Sequence, residues 1–236
     1  MKTIILIPIY NDRESLTKLI ENINSEIEGI NSEISVVVIN DASSQQVIDN
    51  YQNIESIHSI KVINMKENRG HARCIASGLK YIFEKKEFDY VIPMDGDGED
   101  RPEEIKNLIQ LAEQSDTKSI VAERVKRSET IFFKLCYQAH KIITLTFTGQ
   151  SIKFGNFTCL SKITVEKMIN EKATWNSFSG SLKKVEKDLL SIPSIRGTRY
   201  FGPSKMNFFN LLKHSLSIIS VFRKTVLIRS ALFVIF

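Results

Sequence analysis

The feature that most limits what this chain can become is a set of short, almost uninterrupted apolar runs, each ending abruptly in polar residues. Ile4–Ile9 stops at Tyr10-Asn11-Asp12, Ile34–Ile39 at Asn40-Asp41, and Tyr90–Met94 at Asp95-Gly96-Asp97-Gly98. Between them the apolar period changes: Leu16, Leu19, Ile20, Ile23 and Ile27 recur at helical spacing, as do Ala76, Leu79 and Phe83 after Ile60–Ile63 and Asn68-Arg69-Gly70. A strand apolar on both faces needs cover on both faces, so alternation with helices predicts an α/β domain, a mostly parallel sheet between helical layers. Pro102 suits the first position of another helix. Ser119–Glu123 reads as a fifth strand, Ile131–Phe147 has helical length, and Phe157–Leu160 reads as a further short strand. Residues 162–198 give no firm element.

With 236 residues, 42% hydrophobic and 25% charged, the chain can bury a sizeable core, which excludes a disordered tail or a disulfide mini-protein. Cys74, Cys136 and Cys159 are far apart and form no C-x-x-C pair, so a reducing cytosol is the expected setting. The apolar start, Met1 to Pro8, is too short for a signal peptide and reads as a strand. The net charge of +5 is unevenly placed: residues 182–236 carry 10 Lys/Arg against 2 Asp/Glu, and Asp188 is the last acid. Such an end seeks phosphates, anionic lipid or nucleic acid.

Every polar cluster falls at the carboxyl end of a strand, where open α/β sheets place their ligands. Asp95-Gly96-Asp97-Gly98-Glu99-Asp100 crowds four carboxylates into six residues, which costs energy unless a cation neutralises them. Mg²⁺ or Mn²⁺, held by one or two carboxylates together with substrate phosphates, fits this need. A calcium hand does not, since the sixth and twelfth positions counted from Asp95 are Asp100 and Lys106 instead of Gly and Glu.

Pro8-Ile9-Tyr10-Asn11-Asp12, Asn40-Asp41-Ala42-Ser43, Asn68-Arg69-Gly70 and Asp95-Gly96-Asp97, in that order, resemble the motifs of family-2 glycosyltransferases of the GT-A fold. The resemblance covers roughly the first 130 residues. It implies that Pro8, Tyr10, Asp12 and Asp41 contact the base and ribose of a UDP- or GDP-sugar, with Asp95 beside them. It also implies that Asp95, Asp97 and Glu99 ligate the metal. Asp95 to Glu103, with Arg199-Tyr200-Phe201-Gly202-Pro203-Ser204-Lys205, further resembles the polyprenyl-phosphate sugar synthases, the group of dolichol-phosphate mannose synthase. Those enzymes invert the sugar as they transfer it to a lipid phosphate. Such an acceptor is already anionic near neutral pH and needs no strong base. Asp97, Asp100, Arg124, Arg199 and Lys205 are the catalytic candidates, the cations as phosphate clamps, with Arg127 behind them. Ser151 to Thr158 departs from the subgroup's Asp before Gly-Phe-Arg, and no Gln-x-x-Arg-Trp of the processive synthases is present, the only Trp being Trp175.

From Met206, Phe208, Leu211, Leu212, Leu216, Ile219 and Phe222 are expected along one helical face, with Lys213 and Lys224 elsewhere. Residues 1–205 then form the catalytic domain, and 206–236 form an interfacial helix followed by an apolar stretch too short to span a bilayer. The expected setting is the cytoplasmic face of a membrane, peripheral, or integral if the chain continues beyond Phe236. The expected work is hexose transfer to a polyprenyl phosphate, with no nucleic-acid partner and a homo-oligomer left open. One rival is transfer to a glycan hydroxyl, with Asp100 as base. Another is a noncatalytic membrane- or nucleic-acid-binding module using the basic end, which leaves the acidic loop unexplained. A nucleotidyltransferase is disfavoured because no Gly-rich phosphate loop follows the first strand. His58, His71, His140 and His214 are scattered without metal spacing and are given ordinary roles.

Overall fold

The computed structural model describes residues 1–47, 51–115, 117–126, 138, 142–203 and 208–235. Seven strands, β1 (Lys2–Ile9), β2 (Glu33–Asn40), β3 (Ser59–Asn64), β4 (Tyr90–Pro93), β5 (Ile120–Lys126), β6 (Phe154–Ser161) and β7 (Leu190–Ile195), form one sheet in the order β3-β2-β1-β4-β6-β5-β7. β1 pairs parallel to β2 and β4, β2 to β3, and β5 to β7; only β6 runs antiparallel, to both neighbours. The expected mostly parallel α/β sheet is therefore present, with β6 as its reversed member.

Alternation along β1 builds the two cores. Ile5, Ile7 and Ile9 face α1 (Arg13–Glu26) through Leu16, Leu19, Ile20 and Ile23, and α3 (Ile105–Gln114) through Ile105, Leu108 and Ile109. Ile4 and Leu6 face the other layer, meeting Cys74, Ile75, Leu79 and Ile82 of α2 (His71–Lys85), Val165 and Met168 of α4 (Lys162–Asn170), and Phe178 and Leu182 of α5 (Phe178–Val185). Gly78 allows the closest approach of α2 to the sheet, since a Cβ there would lie 2.3 Å from Leu6 Cδ1. Pro102 opens a 3-10 turn, Pro102–Glu104, that runs into α3. The segment 162–198, which gave no firm reading, holds α4, α5 and β7; both helices are N-capped by serines, Ser161 to Thr164 N–H and Ser177 to Gly180 N–H. Most of the expected helix Ile131–Phe147 lies outside the described residues, of which 142–148 are helical.

The helix expected from Met206 onward is present. α6 (Phe208–Val221) and α7 (Arg223–Ile235) meet at Phe222. The buried side of α6 carries Ser215, Ile218 and Val221, with Val221 against Gly180 of α5, whereas Phe209, Leu212 and Leu216 are exposed. Apolar residues stand on two sides of this helix, so no single face could be read from their spacing. Among the described residues no helix is long and apolar enough to cross a membrane.

Candidate functional site

Two loops beyond the sheet's carboxyl edge are tied to each other. Asn11, at φ 47°, donates its backbone N–H to Ser43 Oγ at 2.9 Å, and its side-chain oxygen accepts from Ser44 N–H at 2.9 Å. Asn40 Oδ1 accepts Ser43 N–H at 3.0 Å while its amide donates to Asn64 at 2.7 Å. Asp41 is buried, and its two oxygens accept the backbone N–H groups of Arg69 at 2.8 Å and Gly70 at 2.9 Å. Pro8 is buried beyond the last β1–β4 pair, Leu6 with Pro93, so its missing N–H breaks no ladder there; Tyr10 is exposed at the rim.

The acidic loop follows β4, and residues from the far end of the chain close over it. Asp95 N–H donates to Asp100 Oδ2 at 2.9 Å and Glu99 N–H to Asp97 Oδ1 at 3.0 Å. Gly197 N–H donates to Glu99 O at 2.8 Å, and Tyr200 N–H to Asp97 O at 3.0 Å. Tyr200 then lies over Gly98, whose φ of 88° and lack of a Cβ are both required, because a Cβ would sit 2.6 Å from the ring. Asn22 of α1 fixes the phenol with a 2.8 Å hydrogen bond.

Each acid has its own cation or donor. Arg199 reaches Asp97 at 2.5 Å and Asp12 at 2.7 Å, Arg196 pairs with Glu99, and Arg124 at the end of β5 stands 3.7 Å from Asp100. His71 Nε2 lies 2.9 Å from Asp95 Oδ1, which Asn156 also approaches at 3.2 Å. Burial alone would raise Asp95, but His71, Arg124 and Asn156 more than offset it and hold that carboxyl below the usual range. Asp97 and Asp100 go the other way: burial first, then the Asp95 charge, pushes them up to about 6 and about 7. The protein's own cations thus leave excess negative charge at the loop. Among the described residues no three His, Cys, Asp or Glu side chains form a ready metal cage. Asp95 and Asp97, with Glu99 beside them, nevertheless suit a hard divalent ion completed by phosphate oxygens.

The structure therefore brings together Asp12, Asp95, Asp97, Glu99, Asp100, Arg124 and Arg199, with Pro8 and Tyr10 at the adjoining loop. Asp41 is engaged with the 69–70 turn, and Lys205 and Arg127 lie outside the described residues. Asp100 is only 4% exposed. Sequence reasoning missed His71, Asn156 and the loop-closing role of Tyr200. Arg196 it saw only as one charge in a basic tail. The position of His71, directly after Asn68-Arg69-Gly70 at a strand's carboxyl side, was the available signal.

Comparison with known proteins bears on this geometry. The chain is 26% identical over 225 residues to undecaprenyl-phosphate 4-deoxy-4-formamido-L-arabinose transferase of Proteus mirabilis, covering 89% of this chain and 64% of that protein. It is 25% identical over 236 residues to the Serratia proteamaculans protein of the same name, covering 95% and 68%. The chain thus spans about 64% of the length of the first of these relatives. Glucosyl-3-phosphoglycerate synthase from Mycobacterium tuberculosis, solved with Mn²⁺, UDP and glucosyl-3-phosphoglycerate, superposes with a TM-score of 0.66 at 12% identity, over 95% of this chain and 80% of that one. That likeness establishes a GT-A-like fold. The family described as glycosyl transferase family 2 matches residues 4–178, from the first strand through the acidic loop to the start of α5, and to that family the chain belongs.

Proposed function

We propose that the chain transfers a sugar, with inversion, from a UDP- or GDP-sugar to a polyprenyl phosphate at a membrane surface, using Mg²⁺ or Mn²⁺. The observation that carries this reading is the loop of four carboxylates at the sheet's carboxyl edge, faced by Arg124, Arg196 and Arg199. Asp95, Asp97 and Glu99 would hold the metal, which when bound neutralises charge on the departing diphosphate. Pro8, Tyr10 and Asp12 line the nucleotide side, and Asp41 supports it by fixing the 69–70 turn. Arg199, displaced from Asp97 and Asp12, would turn to phosphate oxygens, with Arg124 and Lys205 as further clamps. In a single displacement the anomeric carbon loses its bond to the diphosphate oxygen, which keeps the electron pair, and gains one to an acceptor phosphate oxygen that is already deprotonated. No carboxylate base is then needed, in keeping with the burial of Asp100.

Membrane association is supported by exposed apolar side chains on two neighbouring pieces: Ile142, Leu145 and Phe147 of the helix at 142–148, and Leu227, Ile228 and Leu232 of α7. Arg229 ties the two by donating to Thr146 O at 3.1 Å. Arg223, Lys224 and Arg229 supply positive charge beside them.

A radiolabelled-sugar assay tests the proposal. Transfer to undecaprenyl phosphate with Mn²⁺ is expected, and transfer to oligosaccharide hydroxyls alone would overturn it. Because the relatives are named for an arabinose derivative, the donor panel includes pentose as well as the hexose nucleotides expected from sequence. The nucleotide is identified by which diphosphate, with Mn²⁺, raises the melting temperature.

A further inference from the structure

His71, which contacts Asp95, also lines a second concavity, a cleft of about 660 Å³ between the first turn of α2, the Trp175-Asn176 corner and α6. Its walls carry three permanent cations, Arg69, Arg73 and Lys213, and, among the described residues, no carboxylate. Arg69 pairs with Glu67 outside the cleft, while Arg73, half-buried, and Lys213 have no carboxylate partner among the described residues. Charge left unmatched inside a concave wall favours a negatively charged ligand.

The cleft is not purely polar. Lys213, Leu216, Ser217 and Ser220 recur at spacings of three and four and form the stripe that α6 turns toward it. Leu216 is 57% exposed and Trp175 46%, and the apolar track continues outward along α6 through Leu212 and Phe209, 47% and 77% exposed. At the inner end His71 both lines the cleft and contacts Asp95, the first carboxylate of the acidic loop. The cleft thus joins exposed apolar side chains, cations and a histidine that touches the acidic loop.

From this combination we propose that the cleft seats the acceptor: the phosphate lies among Arg73, Lys213 and Arg69 with its attacking oxygen reaching past His71 to the donor sugar, and the first isoprene units rest against Trp175 and Leu216. This rests on the reading of the acceptor as a prenyl phosphate. His71 acts here as a positioning residue, since its ring holds Asp95 from the acceptor side.

Trp175 is the chain's only tryptophan, so its fluorescence reports directly on this cleft. The whole chain is titrated with farnesyl phosphate, with farnesol and with inorganic phosphate. A saturable spectral shift with farnesyl phosphate is expected, with far weaker responses to the alcohol and to the bare anion. Combined Arg73→Glu and Lys213→Glu substitution should weaken farnesyl phosphate by at least about tenfold. Its circular-dichroism melting curve should match the parent's. Inorganic phosphate binding as tightly as farnesyl phosphate would overturn the lipid part of the proposal. Absence of a saturable shift in the parent, or an unchanged response in the folded double variant, would overturn the site.

The two readings fail separately. Saturable binding of farnesyl phosphate without sugar transfer to it supports the cleft and removes the acceptor assignment. Transfer with an unchanged acceptor KM in the double variant keeps the acceptor assignment and removes the cleft.

Discussion

The loops around the acidic tip and the surface around α6 handle charge in opposite ways. At the tip, Asp12 and Asp97 share Arg199, Glu99 has Arg196, Asp95 has His71, and Asp100 faces Arg124, so nearly every charge has a partner within the chain. Around α6, Arg73 and Lys213 face no acid and Leu212 and Leu216 stand half in water. The difference separates two kinds of preparation. A crowded acidic site needs internal counter-charges to fold before its ligand arrives, whereas a surface of modest cationic and apolar density is stable in water and can leave its complement to a partner.

Four measurements would sharpen or break this contrast. The largest effect is expected from Asp97→Ala, which should lower turnover by about a thousandfold or more while the melting curve stays that of a folded protein. Retained turnover would remove the acidic tip from catalysis. Next, Arg199→Met strands Asp12 and Asp97 in a partly buried setting and should cost about 2 kcal/mol, between the exposed and fully buried cases. That corresponds to roughly 4–8 °C in Tm. Mn²⁺ added without nucleotide should recover more stability in this variant than in the parent, because the ion and the guanidinium compete for one carboxylate.

The third is a pH dependence in chelator. Asp97 and Asp100 titrate at about 6 and about 7 in the folded chain, above the ordinary carboxyl value, so between these limits the native state holds protons that the unfolded chain has shed. His71 is penalised by burial but raised overall by Asp95, and its contribution to stability is likewise lost as pH rises through its folded value. Tm should therefore fall by a few degrees from about pH 5 to about pH 8, and the slope should flatten when Asp97 and Asp100 are both replaced by Asn. A rising Tm would contradict the crowding described here. The smallest effect on the fold is expected from Leu212→Ser with Leu216→Ser, which should change stability by less than about 0.5 kcal/mol. The same pair should weaken farnesyl phosphate binding by about tenfold.

What could be read from sequence follows physical lines. β1, β2 and β4 were legible because their residues are buried nearly throughout, so composition and burial coincide, and α1 because its buried Leu16, Leu19, Ile20 and Ile23 recur at helical spacing. The acidic loop was legible because four carboxylates in six residues are improbable without a cation. α4 and α5 were not, since 9 and 8 residues carry too few turns to establish a period, and their real signature was the serine cap ahead of each. β7 was hidden by Pro193 and the serines at 191 and 194, tolerable on the edge strand it proves to be. His71 was illegible for another reason: a lone histidine acquires meaning only from what the fold places opposite it, here Asp95, 24 positions later. Asp41 shows the converse, a motif residue whose carboxylate shapes a neighbouring turn.

Arg196 and Arg199 meet Glu99 and Asp97 across 97 and 102 positions of chain. Until residues 196 and 199 are in place Glu99 and Asp97 lack these guanidinium partners, whereas Asp95 and Asp100 can already meet His71 and Arg124. Closure of the acidic tip over Gly98 therefore depends on contacts of high sequence separation, and a chain in which this segment has not docked carries an open, self-repelling edge.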